Sequence, residues 1–338
     1  MPPRHSSPNR LPLARGTAGG SAVATWFRVA LGVAGLGLLI ALVRHVGPDA
    51  ILATLRPALR WLPVLCALEL VRMACETLAS YLAFGSLAAR IPRATLFRAH
   101  VIGMSLGSLA PAPRVVNETI KVGLLAPFVG VPAATSVGFI NQAATLVAVG
   151  LFSIPCGAAI LALGGAPVWL WASLGHAVVL VAAGLGLQAV TRADAPGRWL
   201  AGRFPSLAAR AEAFREHASE TGLWAAGPTS ALMLGRCFQV VQLGLAARAV
   251  GIDAGFLRAM AAEGVHLLAS AVGVLVPGGF GTTDGAFTLA ADLLATTAAR
   301  ATSLALLMRC VQILWVPIGS AAALLRAGGP TSRSERGR

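Results

Sequence analysis

Charge is scarce in this chain: of 338 residues only 12% are Asp, Glu, Lys or Arg, while 56% are apolar. Several apolar runs exceed the roughly 18 residues that mark a membrane-spanning helix, so the sequence reads as an all-α, polytopic membrane protein. Acidic residues are the scarcest, 13 against 27 Lys and Arg, which leaves a net charge of +14. That excess does not point to nucleic acid, because the basic residues fall mostly in tails and interhelical loops and not on one compact domain. It reads as membrane topology and lipid-headgroup contact. The five cysteines (Cys66, Cys75, Cys156, Cys237 and Cys310) lie inside apolar stretches without CxxC or metal spacing, as buried small hydrophobes do. A signal-peptide cleavage site is also missing. Arg44 and His45 follow the first apolar run, Trp26 to Val43, so that run is expected to remain as a helical anchor.

The apolar runs give about six full spans, near 26–43, 61–84, 133–161, 167–190, 223–247 and 301–325, each long enough to cross about 30 Å of hydrocarbon. Two regions, 95–128 and 257–298, behave differently: each has two shorter apolar stretches broken by a polar, Pro/Gly-rich segment, "APAPRVVNE" and "PGGFGTTDG". Irregular backbone is not tolerated against lipid, so these are expected to form re-entrant or tightly paired helical hairpins shielded by protein. Arginines in the N-terminal tail, the 85–98 loop, the 191–222 segment and the C-terminal tail fall on one side under that topology, which makes both termini cytoplasmic in an inner membrane. Arg44, Arg56 and Arg60 of the 44–60 loop are the exception. Within 204–220, Phe204, Leu207, Ala211, Phe214 and Ala218 share one helical stripe, read either as an interfacial cytoplasmic helix or as a loop helix packed on protein.

The two halves share an ordered series. Arg72 in an apolar helix is followed by "FRA" (97–99), Pro111, Glu118 seven residues on, and "ATS" (134–136). Arg236 in an apolar helix is followed by "LRA" (257–259), Pro277, Asp284 seven residues on, and "ATS" (301–303). This suggests a repeat of 61–161 in 223–325, and the topology makes the two copies inverted, an arrangement frequent in secondary transporters. The remaining divisions are a cytoplasmic tail (1–25), a first span with its outer loop (26–60), a connecting span with the interfacial helix (162–222) and a second cytoplasmic tail (326–338).

Charged residues at such depth face the interior of the bundle or a wet cavity. Glu69, Arg72 and Glu76 share one helix face, and Arg236, Gln239 and Gln242 form a similar series. Arg72 and Arg236 are expected to bind a phosphate or other anionic group; the alternative is that Arg72 is neutralised by its two glutamates and merely locks helices together. Glu118, Lys121 and Asp284, at the hairpins, are expected to contact the rest of the headgroup, and Arg114 is a further substrate-binding candidate. Gly278, Gly279 and Gly281 offer backbone N–H groups for an anion nest. Supporting polar positions are Glu69, Glu76, Asn141, Gln142, Gln239, Arg309 and Gln312. Glu263 and His266 make only a lone Glu-x-x-His, too little for a di-metal site, and no Gly-Lys-Ser/Thr marks a nucleotide loop. No cofactor, metal or catalytic residue is expected.

"PRVVNETIK" (113–121) and "PGGFGTTD" (277–284) resemble the two motifs of the lysylphosphatidylglycerol synthase transmembrane, or flippase-like, family, and the resemblance extends over about 26–325. Asn117 stands where that family would have glycine, and Asp284 where glutamate is commoner. With only thirteen residues after Leu325, the soluble aminoacyltransferase domain of full-length synthases is not expected, nor is lysine transfer from aminoacyl-tRNA. The resemblance implies translocation of a lipid between leaflets: an aminoacylated phospholipid, another polar lipid or a terpenoid lipid. An intramembrane lipid-modifying enzyme with Asp284 or Glu118 as base, or a scaffold for a lipid or glycan synthesis complex, are the competing readings. The expected partners are the bilayer and its lipids, with a lipid-synthesis enzyme as a further candidate.

Overall fold

Proline and glycine set many of the helix boundaries. The computed structural model describes residues 33–34, 36–108, 110, 113–164, 166–193, 202–203, 208–220, 224–276 and 279–324. Its helices are α1 (Leu36–Val46), α2 (Pro48–Ala58), α3 (Leu62–Phe84), α4 (Arg93–Gly107), α5 (Pro113–Val129), α6 (Val131–Ala162), α7 (Pro167–Arg192), α8 (Ala208–Glu220), α9 (Ala226–Ala249), α10 (Phe256–Val272), α11 (Thr282–Leu289) and α12 (Ala298–Leu324). No strand occurs among the described residues. Proline occupies the first helical turn of α2, α3, α6 and α7, where its missing N–H costs nothing. Gly47, at φ 99°, permits the 98° bend between α1 and the chain that follows, and Gly130, at φ 83°, turns α5 into α6.

Four helices, α6, α7, α9 and α12, are long and apolar enough to cross a membrane, and the bent pair at Gly47 makes a fifth if counted as one span. Of the six expected spans, 26–43 is described only from residue 33 onward, without residue 35, and its second half forms most of α1. The 61–84 run forms the 23-residue α3, whose Glu69, Arg72 and Glu76 set it apart from the purely apolar helices.

The breaks in the two hairpins are shorter than expected. Helix α5 runs from Pro113, so Arg114 to Glu118 are helical. Proline at the first helical position explains this, since it is preorganised for a helix and has no donor to lose. In the second hairpin α11 starts at Thr282, so "TTDG" is helical too.

Small residues bring the helices together, as in membranes, where close backbone approach supplies the packing energy. A Cβ on Gly150 of α6 would lie 2.9 Å from the Ala177 carbonyl oxygen, and one on Gly184 of α7 would lie 2.8 Å from that of Ala143. Ser173, Ala177, Gly184 and Gln188 of α7 are buried, while Val168, Trp171, Val178 and Val179 are exposed and form its lipid-facing side. A Cβ on Gly103 of α4 would collide with Asn117 of α5 at 2.2 Å, and one on Gly319 of α12 with Ser105 of α4 at 2.3 Å. The first hairpin (α4–α5) is clamped to α12, where the Ser105 hydroxyl donates to the Trp315 carbonyl at 2.8 Å and Arg98 Nε to that of Ala322 at 2.8 Å. The second hairpin (α10–α11) packs against α6 and α12, and α3 lies along α9. Helix α8 packs on α6 and α7, with Phe214 edge-on to Phe139 at 5.6 Å and Ala218 buried; Phe204 and Leu207 lie outside the described residues.

Replacing Gly319 with leucine should force α12 away from α4 and lower stability by about 1–3 kcal/mol. Gly175→Ala, at a helical position with open space around it, should raise stability by about 0.5–1 kcal/mol. Unfolding of the purified variants, followed by tryptophan fluorescence, measures both; equal effects at the two glycines would contradict this packing.

Candidate functional site

Burying Glu69 in α3 demands a partner, and Arg72 one turn later provides it. Its guanidinium reaches Glu69 Oε1 at 2.5 Å and Oε2 at 3.2 Å, binds Glu76 Oε1 on the other side, and lies 3.4 Å from the Met104 sulfur. Glu76 Oε2 in turn meets Nε2 of the buried His100 of α4 at 2.7 Å. From α9, the Gln242 amide donates to the Leu65 carbonyl at 2.9 Å and to Glu69 at 3.3 Å. Arg72 is therefore paired with both glutamates, and its forked contacts spread the charge over two carboxylates.

Arg236 of α9 is also paired. It donates to Gln239 at 2.8 Å and to the fully buried Glu263 of α10 at 3.3 Å. The partnership of Glu263 was not evident in the sequence; only its depth in an apolar helix pointed to one. Lys121, the single lysine of the chain, is buried in α5 and pairs with Glu118 at 2.6 Å. Asn141 of α6 donates to the Ser80 hydroxyl at 2.8 Å.

The second hairpin is held by Asp284, which is fully buried at the start of α11. One carboxylate oxygen accepts from Arg309 of α12 at 2.6 Å and from the Gly281 N–H at 2.9 Å. Arg309 also donates to the Gly279 carbonyl at 3.3 Å and stacks over the Phe280 ring at 4.3 Å. The anion nest expected of the glycines is not open at the described positions. The Gly281 N–H is taken by Asp284, the carboxylate in the first turn of α11, and the Gly279 N–H by the Val276 carbonyl at 2.9 Å. Gly278 lies outside the described residues.

These clusters border two adjoining chambers. The smaller one, a cavity of about 40 Å³, is lined by Arg72, Glu76, His100, Glu118, Lys121 and Arg236, among others. The larger one, an open groove of about 430 Å³, is lined both by charged and polar residues, Arg309 and Gln312 among them, and by Met73, Met104, Met308, Phe287 and Trp315. Arg72, Glu76, Arg114, Asn117 and Gln142 line both. Arg114 differs from the other cations of the chambers: it is exposed to the open space and makes no hydrogen bond or ion pair with the described residues. Both hairpins contribute to the larger chamber, the first through Met104, Ser105 and Arg114 and the second through His266, Gly279 and Thr283.

One pattern needs the fold to be judged. Gly103-Met-Ser-Leu-Gly107 matches the G-x-S-x-G spelling of a nucleophile elbow, but lies within helix α4, and the Ser105 hydroxyl is used on the Trp315 carbonyl. It lacks the strand-to-helix turn that exposes such a serine.

Among known proteins, the family described as the lysylphosphatidylglycerol synthase TM region matches residues 25–320. No curated protein and no solved structure matches.

Removing one partner of a buried pair leaves an uncompensated charge, so Asp284→Leu and Arg309→Met should each lower stability by about 3–5 kcal/mol. The double variant should cost clearly less than the sum of the two. Strict additivity of the unfolding midpoints in denaturant would contradict the pairing.

Proposed function

The chain belongs to the lysylphosphatidylglycerol synthase TM region family, multi-pass membrane proteins of lipid metabolism, and from that premise we propose that it is a flippase-like protein. It translocates a polar or anionic lipid between leaflets of the inner membrane, with aminoacylated phospholipids among the candidates. The observation that carries this reading is two adjoining chambers lined by ion-paired residues in an otherwise apolar bundle, the larger of them lined also by Met, Phe and Trp and by residues of both helical hairpins. A headgroup and an apolar chain need those two kinds of surface side by side. In this reading Arg114 receives the phosphate, while Arg72 and Arg236, occupied by carboxylates, hold the frame.

The helix order supports an inverted repeat. Long, short, short, long occurs twice, as α3, α4, α5, α6 and as α9, α10, α11, α12, and the packing is exchanged between the sets: α4 lies on α12 and α10 on α6. Such reciprocal contacts are what a pseudo-two-fold axis generates, and alternating access by rocking one set against the other follows from it. With the 26–43 run and α3 counted beside α6, α7, α9 and α12, the bundle has six spans and both termini in the cytoplasm.

A lipid-modifying enzyme would need Glu118 or Asp284 free to act as a base. Each is held by a cation, Lys121 and Arg309 respectively, which favours transport.

The test is leaflet-resolved movement of fluorescent anionic, zwitterionic and aminoacylated phospholipids in proteoliposomes. One class should move faster than in empty vesicles, and Arg114→Gln should slow it by about tenfold or more while the protein stays folded. Rates equal to empty vesicles for every lipid would overturn the reading.

A further inference from the structure

The charges around the chambers are balanced in an uneven way. Glu69 and Glu76 both bind Arg72, whereas Lys121, Arg236 and Arg309 hold Glu118, Glu263 and Asp284, and Arg114 holds no carboxylate. With the histidines neutral, these five cations and five carboxylates cancel. An anion seated on Arg114 therefore leaves this network one negative charge in excess, which is costly to its buried members, held in surroundings of low dielectric.

His100 is placed to cancel that charge. It is buried at the edge of the smaller chamber, 2.7 Å from Glu76, the carboxylate that shares Arg72 with Glu69. A carboxylate paired with arginine only accepts, so the ring nitrogen facing it, Nε2, carries hydrogen and Nδ1 holds the lone pair. Nδ1 is buried and has no hydrogen-bond partner among the described residues. The charged groups around the pair are Glu69 and Arg72 from α3, Arg114, Glu118 and Lys121 from α5, and Arg236 from α9, with Glu263 behind it on α10. His266 also lines the larger chamber but faces no carboxylate within ion-pair distance among the described residues.

We propose that seating a monoanion at Arg114 is accompanied by uptake of one proton at the His100–Glu76 pair, so that the chambers take up an anionic headgroup and a proton together. The proton comes from bulk water and binds Nδ1, converting the imidazole to imidazolium beside Glu76; no other bond changes. The inference rests on reading the chambers as a headgroup site. It adds a proton to the cargo and assigns the ligand chemistry, a phosphodiester monoanion, whether from a lipid or a soluble ester.

Calorimetric titration of the purified full chain, in buffers of different ionisation enthalpy, counts the protons. The probes are dihexanoylphosphatidylglycerol and, as the soluble phosphodiester, dimethyl phosphate. The wild type should take up about one proton per bound monoanion, and its affinity should rise about tenfold for each pH unit lowered while His100 is neutral in the free protein. His100→Gln, or His100→Asn if the first does not fold, should still bind but without proton uptake or that pH dependence. Arg114→Gln should bind about 30-fold more weakly or worse. Equal proton-linked binding of dimethyl phosphate would uphold the co-uptake while turning the site toward a soluble anion and away from lipid translocation. Binding without proton uptake, uptake retained in both histidine variants, or no binding of either probe would overturn the inference, and none of these readings depends on movement across a bilayer.

Discussion

Arg72 and its two glutamates impose the constraint on which the rest depends. A helix that carries three charges into an apolar bundle must find ionic and hydrogen-bond partners for all of them, because an unpaired charge there costs several kcal/mol. Glu69 and Glu76 satisfy Arg72, but they leave one carboxylate over, and that surplus draws in His100 from α4 and Gln242 from α9. The polar contacts thereby fix the positions of α3, α4 and α9 around one point. The ion pairs Arg236–Glu263, Lys121–Glu118 and Arg309–Asp284 extend the same solution outward.

Polar pairing alone would not place two hairpins around a cavity. That depends on the small residues, since Gly103 and Gly107 allow α5 to fold back onto α4, and Gly319 allows α12 to seat against Ser105. Because α5 runs from Pro113, Arg114 is carried on a helix, at the space shared by both chambers. Asp284 performs the matching service in the second hairpin, where one carboxylate satisfies both the turn backbone and the arginine of the next helix.

The membrane class, the long spans 133–161, 167–190, 223–247 and 301–325 and the existence of both hairpins were legible in the sequence, because run length and Pro/Gly breaks are local signals. The residues that gather at the chambers were legible as well, since charge inside an apolar helix is conspicuous. Their division of labour was not. Arg72, Arg114 and Arg236 look alike along the chain, and only packing across α3, α5, α9 and α10 reveals that two are neutralised and the third is not. Glu263 and His100 belong to the same network through contacts 27 and 24 residues away, which no spacing rule anticipates. The glycines of "PGGFGTTD" were read as open donors because nothing local shows that Asp284 folds back onto Gly281.

The picture that results is a rigid, charge-balanced frame with one unpaired cation aimed into the space between two hairpins. In the proposed reading that cation is the headgroup site, and the choice of ligand is tied to charge and not to shape. The most direct measurement is an electron cryomicroscopy map of the full chain in nanodiscs containing phosphatidylglycerol. The arrangement described here predicts lipid phosphate density within hydrogen-bond distance of the Arg114 guanidinium, with chain density along Met104, Met308 and Trp315. A map with lipid only on the outer faces of the bundle and Arg114 turned onto a protein carboxylate would contradict it.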